Sequence, residues 1–228
     1  MGERADDRRW TGTFERLGEE KRTRVLDAAK RAFASSGYAG ANVNDIAKEA
    51  GISVGSMYKY FRTKEDLFLS LIEGYHALIA ASIDEVLESE RGFAGRIELL
   101  LRACVDSALA DPEAVRLYIA CTTEELSKMA SRLSLSIEEA SAPRYRAMIA
   151  EAQSRGEVEA SLDPGWAAFF LDDLLLMTQY SVGSVYYRDR LRLYLGAALP
   201  AGEEEGEWPP EGLVDNLRDL ALRALAPR

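Results

Sequence analysis

NVNDIAKEAGISVGSMYKYFRTKEDL, residues 42–67, orders its capping, apolar and turn residues so as to predict two short helices and the start of a third. Asn42 is a good N-cap, and Asp45 three positions later completes a pair of the capping-box type. Ile46, Ala47 and Ala50 give the first helix one apolar face, with Asp45, Lys48 and Glu49 around the remainder. Gly51 follows the last apolar position, where a positive φ costs glycine nothing, and Ile52 plugs the turn. Ser53 then caps a second helix, Val54 to Tyr60, from which Met57 and Phe61 point back to a core. Thr63 with Asp66 repeats the capping pattern and opens a third helix through Leu67, Phe68, Leu71 and Ile72.

Two short helices around a tight glycine turn make a helix-turn-helix, whose second helix is shaped to enter a major groove of DNA. Its outward positions are read as Val54, Gly55, Ser56, Lys59 and Tyr60. Small residues at 55 and 56 let the backbone approach base edges, and Val54 suits contact with a thymine methyl. Lys59 and Lys64 bring positive charge, while the hydroxyls of Tyr58 and Tyr60 suit phosphate oxygens. Asn42, Asn44 and Ser53 lie at helix starts, where amides and free N–H groups favour an anion. The alternative reading is a small helical subdomain whose turn merely reverses the chain.

These residues resemble the N-terminal domain of the tetracycline-repressor (TetR) family. The likeness runs from about Arg22 to Tyr75, through VLDAAKRAFASSGYAGANVNDIA, AGIS and SMYKYFRTKEDL. The family's motif commonly closes on Tyr-x-His/Tyr-Phe-x-x-Lys, matched here by Tyr58, Tyr60, Phe61 and Lys64. Asn42 stands where the family commonly has Thr, and either residue caps a helix. The resemblance implies a homodimeric one-component regulator, usually a repressor, whose C-terminal domain binds a small effector.

The remaining sequence predicts an all-α chain. Residues 1–18 read as a polar extension, either without fixed structure or partly helical around Phe14 and Leu17, with Arg8, Arg9 and Arg16 placed to touch phosphate. Residues 19–74 form the helix-turn-helix domain, beginning with a helix from Glu19 to Ser35 that Gly37 stops. Residues 75–228 form a helical effector-binding and dimerisation domain. There the expected helices are His76–Glu90, Phe93–Ala110, one opened by Asp111-Pro112 and reaching toward Met129, and Leu135–Arg155, bent or interrupted at Pro143 and closed by Gly156. Asp163-Pro164 opens another, from Trp166 to about Tyr187, and Leu213–Leu225 is the last. Residues 197–212, rich in Gly, Pro and Glu, read as a loop.

Charge divides unevenly along the chain. Residues 1–74 carry 13 Lys/Arg against 12 Asp/Glu, a net of +1; residues 75–228 carry 15 against 26, a net of −11, together the −10 of the whole. The acidic balance therefore sits in the second part and does not oppose nucleic-acid binding by the first, where Lys21, Arg22, Arg24, Lys30 and Arg31 precede the motif. His76 is the only histidine and Cys104 and Cys121 the only cysteines. No metal ligand set, cofactor fingerprint or catalytic constellation emerges, so an enzyme is not expected. The two cysteines read as buried reduced thiols or as a redox-sensing pair. The N-terminus lacks a signal peptide's apolar stretch and no uninterrupted apolar run reaches membrane length, giving the expectation of a soluble, cytoplasmic protein.

The helix from Trp166 is apolar nearly all round and must be covered on both sides. Leu171, Leu174 and Leu175, with Leu213, Leu217 and Leu220 of the last helix, are the expected dimer interface. Tyr118, Cys121, Met148, Phe169, Phe170, Asp173, Met177 and Tyr180 are the candidate wall of a pocket for an apolar or aromatic effector, or else ordinary core. Asp172 and Asp173 need partners inside so apolar a helix, with Arg144 or Arg146, or a cationic ligand, as the candidates. The expected partners are thus a palindromic DNA operator, a second copy of the chain and a small effector. Effector binding would move the helix spanning about 63–90 and change the separation of the two reading heads. A DNA-binding adaptor or activator whose helical domain holds a protein partner is the alternative.

Overall fold

The computed structural model describes residues 9–121, 124–196 and 208–227, with the backbone alone at 76, 121 and 124–138. Eleven helices and no strand occur among the described residues. The chain divides into two compact units, Met1–Ala77 with Leu117–Leu133, and Leu78–Arg116 with Ser134–Arg228. The segment from Leu117 thus groups with the helix-turn-helix, where the sequence placed it with the second domain.

The first unit holds α1 (Gly12–Glu15), α2 (Glu19–Gly40), α3 (Val43–Glu49), α4 (Val54–Tyr60) and the start of α5 (Lys64–Glu88). Gly37 leaves helical geometry at φ 67°, as its reading as a stop requires, but one more turn follows it to Gly40. Rings bind these short elements into one core. Phe68 meets Phe33 edge-on at 5.1 Å and Tyr38 at 5.2 Å, and Ile46, Met57, Leu67 and Ile72 fill the space around them. Residues 9–18, expected to be unstructured or partly helical, are folded onto this core. Phe14 is buried, with its ring 4.7 Å from Phe61 and 5.8 Å from Tyr60. Arg9, expected to face phosphate, pairs instead with Glu73 at 3.1 Å. Residues 1–8, including Arg8, lie outside the described residues.

The second unit is built on α6 (Phe93–Ala110), which packs between α9 (Pro164–Gly183) and α11 (Leu213–Leu225). Ile97, Leu101, Met148, Ile149, Leu171 and Leu175 fill its centre. α8 (Glu124–Ser154) begins earlier than its periodicity predicts and runs through Pro143 without interruption. α7 (Pro112–Cys121) starts at its predicted Asp-Pro signal. Asp163 accepts from the N–H groups of Gly165 and Trp166 at 2.8 and 3.1 Å, so the second Asp-Pro signal is a working cap. Where one helix to Tyr187 was expected, Ser184 turns extended (φ −123°, ψ 132°) and α10 (Val185–Tyr194) begins. Gly183, just before the break, lies so close to Val115 that an added Cβ would fall 2.8 Å from its side chain.

Arginine–carboxylate clamps join the elements of this unit. Arg144 of α8 reaches Asp84 of α5, with Nη2–Oδ2 at 2.9 Å, and Arg218 of α11 reaches Glu98 of α6 at 3.1 Å. Arg96 of α6 donates to Glu151 of α8 and to the carbonyls of Leu87 and Ser89 at the end of α5. Those carbonyls have no partner within their own helix, so Arg96 closes it. Asp84, Glu98 and Glu151 are all held below the ordinary carboxylate range, first by hydrogen bonds from Arg144, from Arg102 ahead of Arg218, and from Arg96 respectively. By length and composition alone α5 would pass for a membrane span, but Leu67, Phe68, Leu69 and Ile72 of its first turns are buried in the first core.

Candidate functional site

The helix-turn-helix is built by its caps. Asn42 Oδ1 accepts from the Asn44 N–H at 2.8 Å, Ser53 Oγ from the Ser56 N–H at 3.1 Å, and Thr63 Oγ1 from the Asp66 N–H at 2.9 Å. Each bond satisfies a donor that the first helical turn leaves open. Gly51 takes φ 67° in the turn, and the Ile52 N–H donates to the Ala47 carbonyl at 2.9 Å. α3 and α4 therefore meet at an angle fixed by backbone bonds, with Ile46, Ala47, Ala50 and Met57 fully buried beneath them.

The outward residues of α4 are fewer than the sequence suggested. Gly55, Tyr58 and Lys59 are exposed, Tyr58 by 52%, and Asn42, Asn44 and Ser53 are exposed at the helix starts. Ser56 is half-buried and shares a 2.8 Å hydrogen bond with Ser53, so both hydroxyls serve the cap. Val54 is half-buried against the core. Tyr60 is 6% exposed and belongs to the core, against its assignment as a reading residue. The spacing held that answer: Met57, Tyr60 and Phe61 stand at i, i+3 and i+4 on one helical face. Lys64 also faces inward, its Nζ 3.2 Å from the Ala39 carbonyl and 4.8 Å from the centre of the Tyr38 ring.

Thr11 holds the end of α4, a contact that the sequence reading missed. Its N–H donates to the Tyr60 carbonyl at 2.9 Å and its hydroxyl to the Lys59 carbonyl at 2.6 Å. A seven-residue helix leaves most of its carbonyls without intrahelical partners, so Thr11 closes the far end of α4 as Ser53 closes the near one. Trp10, Phe14 and Leu17, at i, i+4 and i+7, were the available signal, since all three pack on this core.

In the second unit a half-open cleft of about 720 Å³ lies between α8 and α9. Of the expected pocket residues, Phe169 and Asp173 line it. Tyr118, Met148 and Tyr180 are buried in the interior, Met177 is half-buried, Phe170 faces solvent outside the cleft, and the Cys121 side chain lies outside the described residues. Arg144, a candidate partner for Asp172 and Asp173, is bonded to Asp84 instead; Arg146 stands in the cleft wall with both aspartates. Cys104 is half-buried against the second core, and its thiol is pushed up to about 12, first by burial and then by the charge of Asp172. A thiol held protonated is a poor nucleophile, which favours the reading of Cys104 as a reduced core residue.

The expected dimer interface is also revised. Leu171, Leu175 and Leu213 are buried within their own unit, and Leu174 and Leu217 pack against the same core. The three buried leucines are withdrawn from a partner, while Leu174 and Leu217 keep part of their surface exposed. Leu220 alone of the set stands out, 62% exposed. The exposed apolar groups of α9 are Trp166 (73%), Phe169 and Phe170 (40%). Trp166 and Phe170 share a stripe with half-buried Met177, away from both core and cleft.

The profile of the bacterial regulatory proteins of the tetR family matches residues 25–71. Residues 25–71 thus carry the TetR-family helix-turn-helix. Its similarity to the HTH-type transcriptional regulator YerO of Bacillus subtilis is 38% identity over 77 residues, 34% of this chain and 26% of that protein. To the fatty acid metabolism regulator protein of the same organism it is 42% over 53 residues, 23% of this chain and 27% of that one. The chain thus spans about a quarter of the length of these curated relatives. In fold the likeness extends further. FadR from Bacillus subtilis in complex with stearoyl-CoA superposes with a TM-score of 0.69 at 18% identity, over 89% of this chain and 98% of that one. FadR from Bacillus halodurans gives 0.67 at 20%, with the same coverage.

Proposed function

We propose that this chain is a homodimeric transcriptional repressor of the TetR family that reads a palindromic operator and leaves it when a small molecule binds the second unit. The observation that carries the DNA-reading half is α4, a short helix closed at one end by Ser53 and at the other by Thr11, with Gly55, Tyr58 and Lys59 facing solvent. A preorganised helix with small and phosphate-seeking groups outward suits a major groove. Dimerisation is supported by the uncovered stripe of Trp166 and Phe170 and by Leu220. A two-fold pair would set two reading heads about 34–36 Å apart, one turn of DNA. The effector half is supported by the cleft and by the stearoyl-CoA complex of a protein of similar fold. The ligand must favour the released state over the DNA-bound one, since equal affinity for both shifts nothing.

Fluorescence anisotropy against DNA from upstream of the protein's own gene tests this reading. Saturable binding that resists unrelated competitor DNA and weakens at least tenfold in Lys59→Ala and Tyr58→Ala is the expected result. Binding that both variants leave intact would show that α4 does not read the DNA. Tyr60→Ala is unsuitable as a control because it opens the core. A protein that binds DNA yet responds to no small molecule fits the other reading, an adaptor whose second unit holds a protein.

A further inference from the structure

We infer that Arg16, carried by α1, is a phosphate contact of the reading head, so that the DNA interface continues past the helix-turn-helix onto the segment that precedes it. This deepens the DNA-reading proposal and rests on it. Most cations of the first unit are already engaged. Arg9, Arg24, Lys30 and Arg31 face carboxylates, and Arg22 and Lys64 donate to backbone carbonyls. Arg16, Lys48 and Lys59 differ: their side chains are exposed and make no hydrogen bond, ion pair or ring contact among the described residues. The carboxylates nearest Arg16 in sequence leave it free, since Glu15 accepts from the Trp10 indole and Glu20 faces Arg24.

The attachment of α1 brings Arg16 to the DNA. Thr11 donates to the carbonyls of Lys59 and Tyr60, so α1 begins where α4 stops. Arg16 folds back along α1: its Nη1 lies 3.8 Å from where a Cβ on Gly12 would stand, and Gly12 follows Thr11 directly. The guanidinium is thereby kept at the same end of α4 as Lys59. A helix of seven residues is roughly 10 Å long and the major groove about 12 Å wide, so a helix laid across the groove brings each end to one wall of phosphates. Lys59 meets that wall as a point charge, while the planar fork of Arg16 suits two oxygens of one phosphate. Backbone contacts position a protein on the duplex and carry no sequence information. Arg16 therefore adds affinity without choosing the operator.

Anisotropy of the full-length protein over a salt series tests the inference, on DNA from upstream of its own gene and on unrelated DNA. Arg16→Gln, its fold verified by circular dichroism, is expected to weaken binding to both by the same factor. It should also reduce the slope of log affinity against log salt by about 0.9, and Arg16→Lys should restore that slope. The double variant Arg31→Gln with Glu49→Gln removes an engaged cation at constant net charge and is expected to keep the original slope. An unchanged slope in Arg16→Gln, a loss confined to the upstream DNA, no restoration by lysine, or an equal fall in the double variant would each overturn the inference. An unsubstituted protein that binds both DNAs alike removes the operator reading, while the slope still decides on Arg16. One that binds neither removes both.

Discussion

The first unit is held by a buried cluster of rings, whereas the second, though it buries Phe93, Tyr145 and Tyr180, turns the rings at the start of α9 outward. Phe14, Phe33, Tyr60, Phe61 and Phe68 interlock beneath the helix-turn-helix, so helices of four and seven residues are held by rings that none of them could bury alone. In the second unit, longer helices meet over aliphatic side chains and are pinned by Arg144–Asp84, Arg96–Glu151 and Arg218–Glu98, while Trp166, Phe169 and Phe170 face solvent. The first unit is complete as it stands. The second presents apolar surface at Trp166, Phe169 and Phe170, which the proposed second copy and ligand would cover.

Cutting the same residue type in each unit should break this symmetry of composition most sharply. Phe68→Ala removes a fully buried ring and is expected to cost about 3–5 kcal/mol, seen as a lowered urea midpoint with loss of DNA binding. Phe170→Ala should leave that midpoint nearly unchanged and move the sedimenting species from dimer to monomer; a dimer that survived both Phe170→Ala and Trp166→Ala would remove the assigned interface. A second pair asks how tight each unit is at its glycines. Gly183→Ala would press a methyl to 2.8 Å from Val115, and overpacking of that kind costs about 1–3 kcal/mol. Gly55→Ala meets nothing nearer than Ser53 Oγ at 3.9 Å, so it should keep the fold and weaken only DNA binding.

Thr11→Val sharpens the comparison further, since it deletes one hydrogen bond and no ring. A loss of about 1 kcal/mol is expected, with faster amide exchange at the end of α4 and a smaller preference for operator over unrelated DNA. Acid should separate the units by the smallest margin. Asp84, Glu98 and Glu151 are held low, so their stabilisation is complete above the ordinary carboxylate value of about 4 and fades as pH falls through it. Glu73 of the first unit is raised, first by burial and against the pull of Arg9, so its contribution grows as pH falls. Hydrogen exchange at decreasing pH is expected to expose the second unit first.

How much of this was legible depended on whether a segment's pattern carried a phase. The caps at Asn42, Ser53, Thr63 and Asp163, and the turn at Gly51, are local chemistry and read directly from neighbouring residues. Tyr60 was misplaced because its hydroxyl suggested phosphate while its spacing with Met57 pointed to the core. Helix α9 is different in kind. Apolar on nearly every side, it offers no periodicity to tell Leu171 and Leu175, which face inward, from Trp166 and Phe170, which do not. Ser184 was hidden by that same run, although Gly183-Ser184 pairs a stop residue with a capping one. The pairing of Arg144 with Asp84 spans 60 positions, and only tertiary structure brings them together.

The inward engagement of Lys64 has a thermodynamic consequence for any encounter with a polyanion. With Nζ on the Ala39 carbonyl and over the Tyr38 ring, it steadies the end of α2 beyond Gly37. Arg9, Arg24, Lys30 and Arg31 of the same unit already face Glu73, Glu20, Asp27 and Glu49. A cation held by a carboxylate releases fewer counterions on meeting a phosphate, and each one withheld flattens the logarithmic dependence of affinity on salt by about 0.9. A head with its cations paired in this way is expected to bind DNA with a shallow salt dependence, which affinity titrated against ionic strength would check.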